Sequence, residues 1–259
     1  MAVKGKEVEG FSLWTGRCNM KVVSINPNLE EIIELTGLEN PRDPEYSGVT
    51  QEGNAKLRLD VYLKNPELNI SAKAVFWLED EPQVSKRTGS TQYVNSVGNS
   101  IWSKESPESN PNLSWFWNRD YREAFKGEAS LYTFLQAWSN IDTRAEDSEV
   151  KLETPFSDIV GGDLSELNTL VEQLFDNEVG VLLGVKDGKY QVIYGNAYVP
   201  GSINSNKRIE NQLENDSKGG YDWQASYQGS LELQKYTGQP EPTNTVSSDT
   251  IDVEAVLGQ

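Results

Sequence analysis

The chain of 259 residues carries 40 acidic and 23 basic side chains, a formal net charge of −17, one cysteine and no histidine. Without an imidazole it cannot build a Ser-His-Asp or Cys-His catalytic centre or an HExxH zinc site. The single Cys18 excludes intramolecular disulfides and thiolate-rich metal centres.

Composition predicts a folded, soluble protein. Aromatic residues make up 10% of the chain, which is high for a disordered sequence. No apolar run of about 18 residues occurs, and the first residues lead into no signal-peptide core. P-loop and GxGxxG motifs are also absent. We therefore expect a cytoplasmic, non-enzymatic protein without a cofactor or bound metal.

The first predicted elements are a strand over residues 20–25 and a short helix. Asn26 and Pro27 suggest the N-cap and first position of that helix, and Gly37 suggests its end. Prolines, glycines and asparagines over residues 40–54 predict a loop.

Residues 55–63 show the clearest strand pattern. Apolar and polar residues alternate, so one face should be core and the other solvent or ligand. The apolar side chains are Leu57, Leu59, Val61 and Leu63, and the alternate ones are Lys56, Arg58, Asp60 and Tyr62. A second strand is predicted over 70–79, with its Val75-Phe76-Trp77-Leu78 run buried on both sides. A hairpin around Gly98 follows, over residues 91–102.

Helices and one further hairpin are predicted in the second half. Apolar spacing indicates a helix over 127–139, and Asp163 with Glu166 suggests a capping box for another helix. Asp187-Gly188 predicts the turn of a hairpin over 180–199. We expect a mainly β (α+β) fold, an OB-like antiparallel barrel over residues 1–239 with a helical insertion around 120–178. A mixed α+β sheet would give the same order of elements. Residues 240–259 predict an acidic, disordered tail.

Residues 83–104 contain no acid, although the chain as a whole is strongly acidic. Cations spaced among aromatic rings suit single-stranded nucleic acid, because the cations neutralise phosphates and the rings stack on bases. The candidate phosphate contacts are Lys86, Arg87, Lys104, Arg119 and Arg122, and the candidate stacking residues are Tyr93, Trp102, Trp115 and Trp117. The alternative interpretation is a solvated hairpin with tryptophans in the core.

The alternating strand offers a second candidate surface. Tyr62 shares its polar face with Lys56 and Arg58, a combination suited to stacking and phosphate contact. A tyrosine on a sheet surface is also an ordinary structural feature.

Four segments together resemble single-stranded DNA-binding proteins of large tailed bacteriophages. They are KVVSINP at 21–27, TQYVN at 91–95 with IW at 101–102, LYTFLQAW at 131–138 and YQVIY at 190–194. The resemblance implies an OB-fold core and non-sequence-specific binding of single strands in phage replication or recombination, in the host cytoplasm. It also implies docking of replication or recombination proteins on the acidic tail. Some family members hold a structural zinc through His and Cys, which this chain cannot do.

The sequence thus predicts a single-stranded DNA-binding protein. Two other functions stay open at this stage: a structural or assembly protein of a phage virion, and a carbohydrate-binding domain with exposed tryptophans. The last is disfavoured by Arg119 and Arg122 close to Trp115 and Trp117.

Overall fold

The computed structural model describes residues 12–37, 41–140, 152–186, 190–200 and 231–237. The strands in these ranges are β1 (Trp14–Ile25), β2 (Ser47–Val49), β3 (Ala55–Asn65), β4 (Ile70–Pro82), β5 (Thr91–Asn95), β6 (Ser100–Ser103), β7 (Tyr121–Glu123), β8 (Phe125–Lys126), β9 (Glu178–Lys186), β10 (Tyr190–Tyr198) and β11 (Gln234–Lys235). The helices are α1 (Leu29–Thr36), α2 (Ser114–Trp117), α3 (Glu128–Trp138), α4 (Phe156–Val160) and α5 (Ser165–Gln173). The predicted tail and the Asp187-Gly188 turn lie outside the described residues.

Two antiparallel sheets organise the chain. The larger follows the order β10-β9-β1-β3-β4-β8, with β2 added to β3 and β11 added to β1. It curls into a half-barrel, so that β10 comes to lie against β4. The smaller sheet has the order β6-β5-β7. The predicted mainly β class with a few helices is confirmed, although β2 lies within the predicted loop 40–54.

The core fills the inside of the curled sheet. Alternation along β3 turns Leu57, Leu59, Val61 and Leu63 inward, as predicted, because successive side chains of a strand point to opposite faces. Helix α3 packs against β9, β10 and β4 and contributes Phe134 and the fully buried Trp138. In the described ranges no helix is long and apolar enough to cross a membrane.

Helix α1 begins later along the chain than predicted. Its N-cap is Asn28, whose side chain accepts a hydrogen bond from the Glu31 amide at 3.0 Å, while Glu31 accepts from the Asn28 amide at 2.8 Å. The predicted cap, Asn26, is wrong because its side chain is engaged by β3. It donates to the Arg58 carbonyl at 3.1 Å and accepts from the Asp60 amide at 2.7 Å. The predicted end at Gly37 is confirmed, with φ 68°.

The predicted capping box of α5 is also wrong. Glu166 accepts hydrogen bonds from the backbone amides of Glu153 and Thr154, each at 2.8 Å, and so binds the preceding segment instead of its own helix start. Asp163 accepts from the Ser165 amide at 3.1 Å. The helix itself is present, and Leu167 is its buried anchor.

Candidate nucleic-acid interface

The side of β3 and β4 turned away from the core forms a continuous surface, here called the outer β3–β4 face. The two strands pair without a register shift, and directly opposed residues share a face. The face consists of five cross-strand pairs: Lys56 with Glu79, Arg58 with Trp77, Asp60 with Val75, Tyr62 with Lys73, and Lys64 with Ser71. The sequence-predicted residues Lys56, Arg58 and Tyr62 therefore lie on one face.

Trp77 is the most exposed aromatic ring of this surface. Its exposed fraction is 62%, and Val75 beside it is also exposed, so the predicted burial of this segment on both sides is wrong for these two residues. The Arg58 guanidinium carbon lies 5.9 Å from the centroid of the Trp77 ring. An exposed indole next to a cation offers a planar surface for stacking and a positive charge at its edge.

A buried carboxylate holds two cations of the face in place. Asp60 is 1% exposed and accepts from Arg58 Nε at 2.7 Å and from Lys73 Nζ at 2.7 Å. A second hydrogen bond joins the Arg58 guanidinium to the other carboxylate oxygen, and hydrogen bonding to Asp60 raises the pKa of Arg58. The network holds the Arg58 guanidinium between Asp60 and the Trp77 ring.

Tyr62 lies two cross-strand rows from Trp77 along the same face. Rows on one face of a strand repeat about every 7 Å, so the two aromatic positions are about 14 Å apart along the strands. Lys73 Nζ lies 5.5 Å from the Tyr62 ring centroid. Burial, and then the charge of Asp60, raises the pKa of Tyr62, so its hydroxyl stays protonated at neutral pH.

The charge of the outer β3–β4 face differs in sign from that of the chain. Four cations, Lys56, Arg58, Lys64 and Lys73, stand against two carboxylates, Asp60 and Glu79, a net charge of +2 in a chain of −17. A cavity of about 340 Å³ lies between this face and the segment from α1 to Glu45, which adds Arg42, Asp43 and Glu45 to the lining. With these three residues included, the cations still outnumber the carboxylates by one.

The smaller sheet separates two of the predicted stacking residues. Trp102 pairs with Gln92, whereas Tyr93 pairs with Ile101, and neighbouring positions of a strand point to opposite faces. Trp102 is 48% exposed on one face. Tyr93 lies on the other, in edge contact with Tyr121 at 5.9 Å between centroids. A single strand of nucleic acid lying on one face of this sheet would therefore contact only one of these two rings.

Helix α2 carries the predicted Trp115-Phe116-Trp117 cluster. Phe116 is fully buried and contacts the rings of Trp115 and Tyr121. Trp115 remains 53% exposed, while Trp117 is half-buried and donates from its indole to the Asn110 carbonyl at 3.3 Å. The cluster is therefore anchored by its phenylalanine and presents one tryptophan to solvent, on the side of Tyr93.

Three predicted phosphate contacts lie together at one end of the smaller sheet. Lys86 and Arg87 occupy the exposed turn that follows β4, and Lys104 is exposed directly after β6. Thr91 pairs with both Val84 and Ser103, which brings the turn and the end of β6 to the same edge. Strand β4 connects the outer β3–β4 face to this turn through its acidic Glu79-Asp80-Glu81 stretch.

Arg122 is half-exposed, and its guanidinium is paired with a buried carboxylate. Its guanidinium donates to both carboxylate oxygens of Glu128, which is fully buried at the start of α3, and hydrogen bonding to Glu128 raises the pKa of Arg122. It also lies 5.4 Å from the Phe125 ring centroid. These contacts hold its guanidinium against the start of α3, and its role as a phosphate contact stays a prediction. Arg119 is half-buried in the connection between α2 and β7, the latter a strand of the smaller sheet.

Sequence reasoning missed Trp77, Lys64 and Lys73. The alternation of side chains along β4 could have identified this face, because Ser71, Lys73 and Glu79 are an even number of positions from Trp77 and so point to the same side of the strand. Within the part of the chain that the structure describes, no group of His, Cys, Asp or Glu is arranged to hold a metal ion. Comparison with protein-family models, curated proteins and solved structures gives no match.

Proposed function

We propose that this chain is a non-sequence-specific single-stranded DNA-binding protein and that the outer β3–β4 face is its main interface. The observation that carries the proposal is the exposed Trp77 with Arg58 against its ring, on a face of net positive charge in a strongly acidic chain. Stacking of a base on an aromatic ring is worth about 1–3 kcal/mol and tolerates any sequence.

The cations of the face supply the second part of the interaction. Lys56 and Lys64 stand at its two ends, and Lys86, Arg87 and Lys104 form a second cationic cluster beyond the acidic Glu79-Asp80-Glu81 stretch of β4. Each phosphate neutralised by a lysine or arginine releases condensed counterions, so binding should weaken as salt rises. The acidic remainder of the molecule would disfavour indiscriminate binding to duplex DNA.

The order of elements supports an OB-like barrel for this proposal. Strands β1, β3 and β4 form a meander, α3 follows, and the β9–β10 hairpin returns so that β9 pairs with β1 and β10 lies against β4. In an OB fold the second and third strands carry the oligonucleotide surface, and β3 and β4 are their counterparts here. This is an analogy of fold and adds to the argument from the face itself. The role in phage replication or recombination, and partner docking on residues 240–259, stay predictions.

The test is a fluorescence-anisotropy titration of a labelled oligothymidine at about 50 mM salt. We expect the wild type to bind and Trp77→Ala to bind roughly 5- to 100-fold more weakly, the equivalent of one lost stacking contact. Trp115→Ala, which removes an equally accessible indole elsewhere, should change affinity less than twofold. Absence of salt-sensitive binding by the wild type would contradict the proposal. Preferential binding of a soluble glycan would favour the carbohydrate-binding alternative.

A further inference from the structure

We infer that Asp60 is an internal counter-anion of the outer β3–β4 face, which occupies Arg58 and Lys73 and limits how strongly the face holds nucleic acid. This inference rests on the proposed function and adds a residue that sets its affinity. The carboxylate occupies the middle row of the face, between the two aromatic rows of Tyr62 and Trp77.

The contacts of Asp60 are those that a bound phosphate would make. One carboxylate oxygen accepts from Arg58 Nε at 2.7 Å, and the other accepts from Lys73 Nζ at 2.7 Å and from the Arg58 guanidinium. Arg58 and Lys73 each keep about a third of their side chain exposed, at 29% and 32%. Both cations can therefore reach a ligand while part of their charge is already neutralised.

Both the backbone and the carboxylate of Asp60 are held by hydrogen bonds. The Asp60 amide donates to the Asn26 side chain at 2.7 Å, and the Asn26 amide donates to the Asp60 carbonyl at 2.9 Å. These bonds hold the backbone of residue 60 against the entrance to α1, and the donors of Arg58 and Lys73 hold the buried carboxylate. A phosphate has to share the two cations with it.

Lys64 provides the comparison on the same face. Among the described residues it has no carboxylate within ion-pair distance, whereas Lys73 has Asp60. A lysine or arginine that neutralises a phosphate releases cations condensed on the nucleic acid, and a side chain whose charge is already offset by a fixed carboxylate neutralises less of the phosphate charge. The cations of the face therefore contribute unequally to phosphate binding, and those paired with Asp60 contribute less.

The test compares Asp60→Asn with Asp158→Asn in oligothymidine titrations over a series of salt concentrations. Both substitutions remove one negative charge and keep the side-chain shape. Asp158 is exposed on α4, which packs on the core side of β3 and β4 and lies outside the proposed interface. We expect D60N to bind roughly five- to tenfold more tightly at about 50 mM salt, with a slope of log affinity against log salt steeper by about 0.7. D158N should stay within twofold of the wild type.

Tighter binding with a steeper slope is not a result of structural damage, which would weaken binding. A second pair keeps the inference testable if D60N folds poorly: Lys73→Met should weaken binding less than Lys64→Met. If the wild type binds, equal affinities of D60N and D158N, or a larger loss in Lys73→Met than in Lys64→Met, would overturn the inference alone. Absence of binding by the wild type and both variants overturns the proposed function and this inference with it.

Discussion

Gly127 lies directly behind Trp77. A Cβ atom built on Gly127 would be 2.2 Å from the Trp77 carbonyl oxygen, and Gly127 has φ +80°, a conformation that side-chain-bearing residues rarely adopt. The strand that presents the exposed indole is thus backed by a position at which only glycine fits. This contact links the start of α3 to the geometry of the outer β3–β4 face.

Gly127→Ala should both destabilise the protein and weaken its binding. Strained φ costs about 1–3 kcal/mol and overpacking a further 1–3 kcal/mol, so the free energy of unfolding should fall by about 2–6 kcal/mol. Because the Trp77 backbone has to move, oligothymidine affinity should fall as well. The control is Gly53→Ala, which has a similar φ of +89° but nothing within 4 Å of the added atom. Equal losses in urea unfolding for the two variants would contradict the role of close packing.

Glu128→Gln should lower the free energy of unfolding by about 1–3 kcal/mol. The fully buried carboxylate accepts from Arg122 and from the Phe125 amide at 2.9 Å, and a neutral amide cannot satisfy all these donors. The loss stays below that of a fully buried pair because the Arg122 side chain is 48% exposed and can be rehydrated. Chemical denaturation of Glu123→Gln, an exposed carboxylate on the same segment, gives the control, with an expected change within about 0.5 kcal/mol.

Cys18 should make stability depend on pH in the alkaline range. Burial raises the pKa of its thiol from 9.0 to about 11, a shift that a hydrogen bond from Asn65 partly offsets. The unfolded chain releases this proton more readily, so stability present below about pH 9 should fall by roughly 2–3 kcal/mol as pH rises to 11. Cys18→Ala should lack this component when urea unfolding is measured at each pH. Parallel pH profiles for the two proteins would contradict the assignment.

The inner and outer sides of β3 could be predicted from the sequence because pleating has a period of two. The strict alternation of residues 55–63 is enough by itself to place Lys56, Arg58 and Tyr62 on one face. In β4 the same phase is obscured by the apolar run around Trp77. Whether an apolar run is buried on both sides depends on which elements cover the sheet, and the local sequence does not show this.

The separation of Tyr93 from Trp102 depends on strand register. A shift of one residue in the β5–β6 pairing would have placed both rings on the same face. The engagement of Arg122 likewise depends on a partner, Glu128, buried by the packing of α3. Sequence composition identified a cationic, aromatic region, but pairing and burial decide which of its side chains reach a ligand.

The central claim is tested most directly by the indole N–H signals of the seven tryptophans in a ¹⁵N–¹H correlation spectrum recorded during an oligothymidine titration. The Trp77 signal, assigned with Trp77→Phe, should shift progressively and saturate with the oligonucleotide. The signal of the buried Trp138 should not move. A Trp77 signal that stays in place while the oligonucleotide is bound would contradict the outer β3–β4 face as the interface.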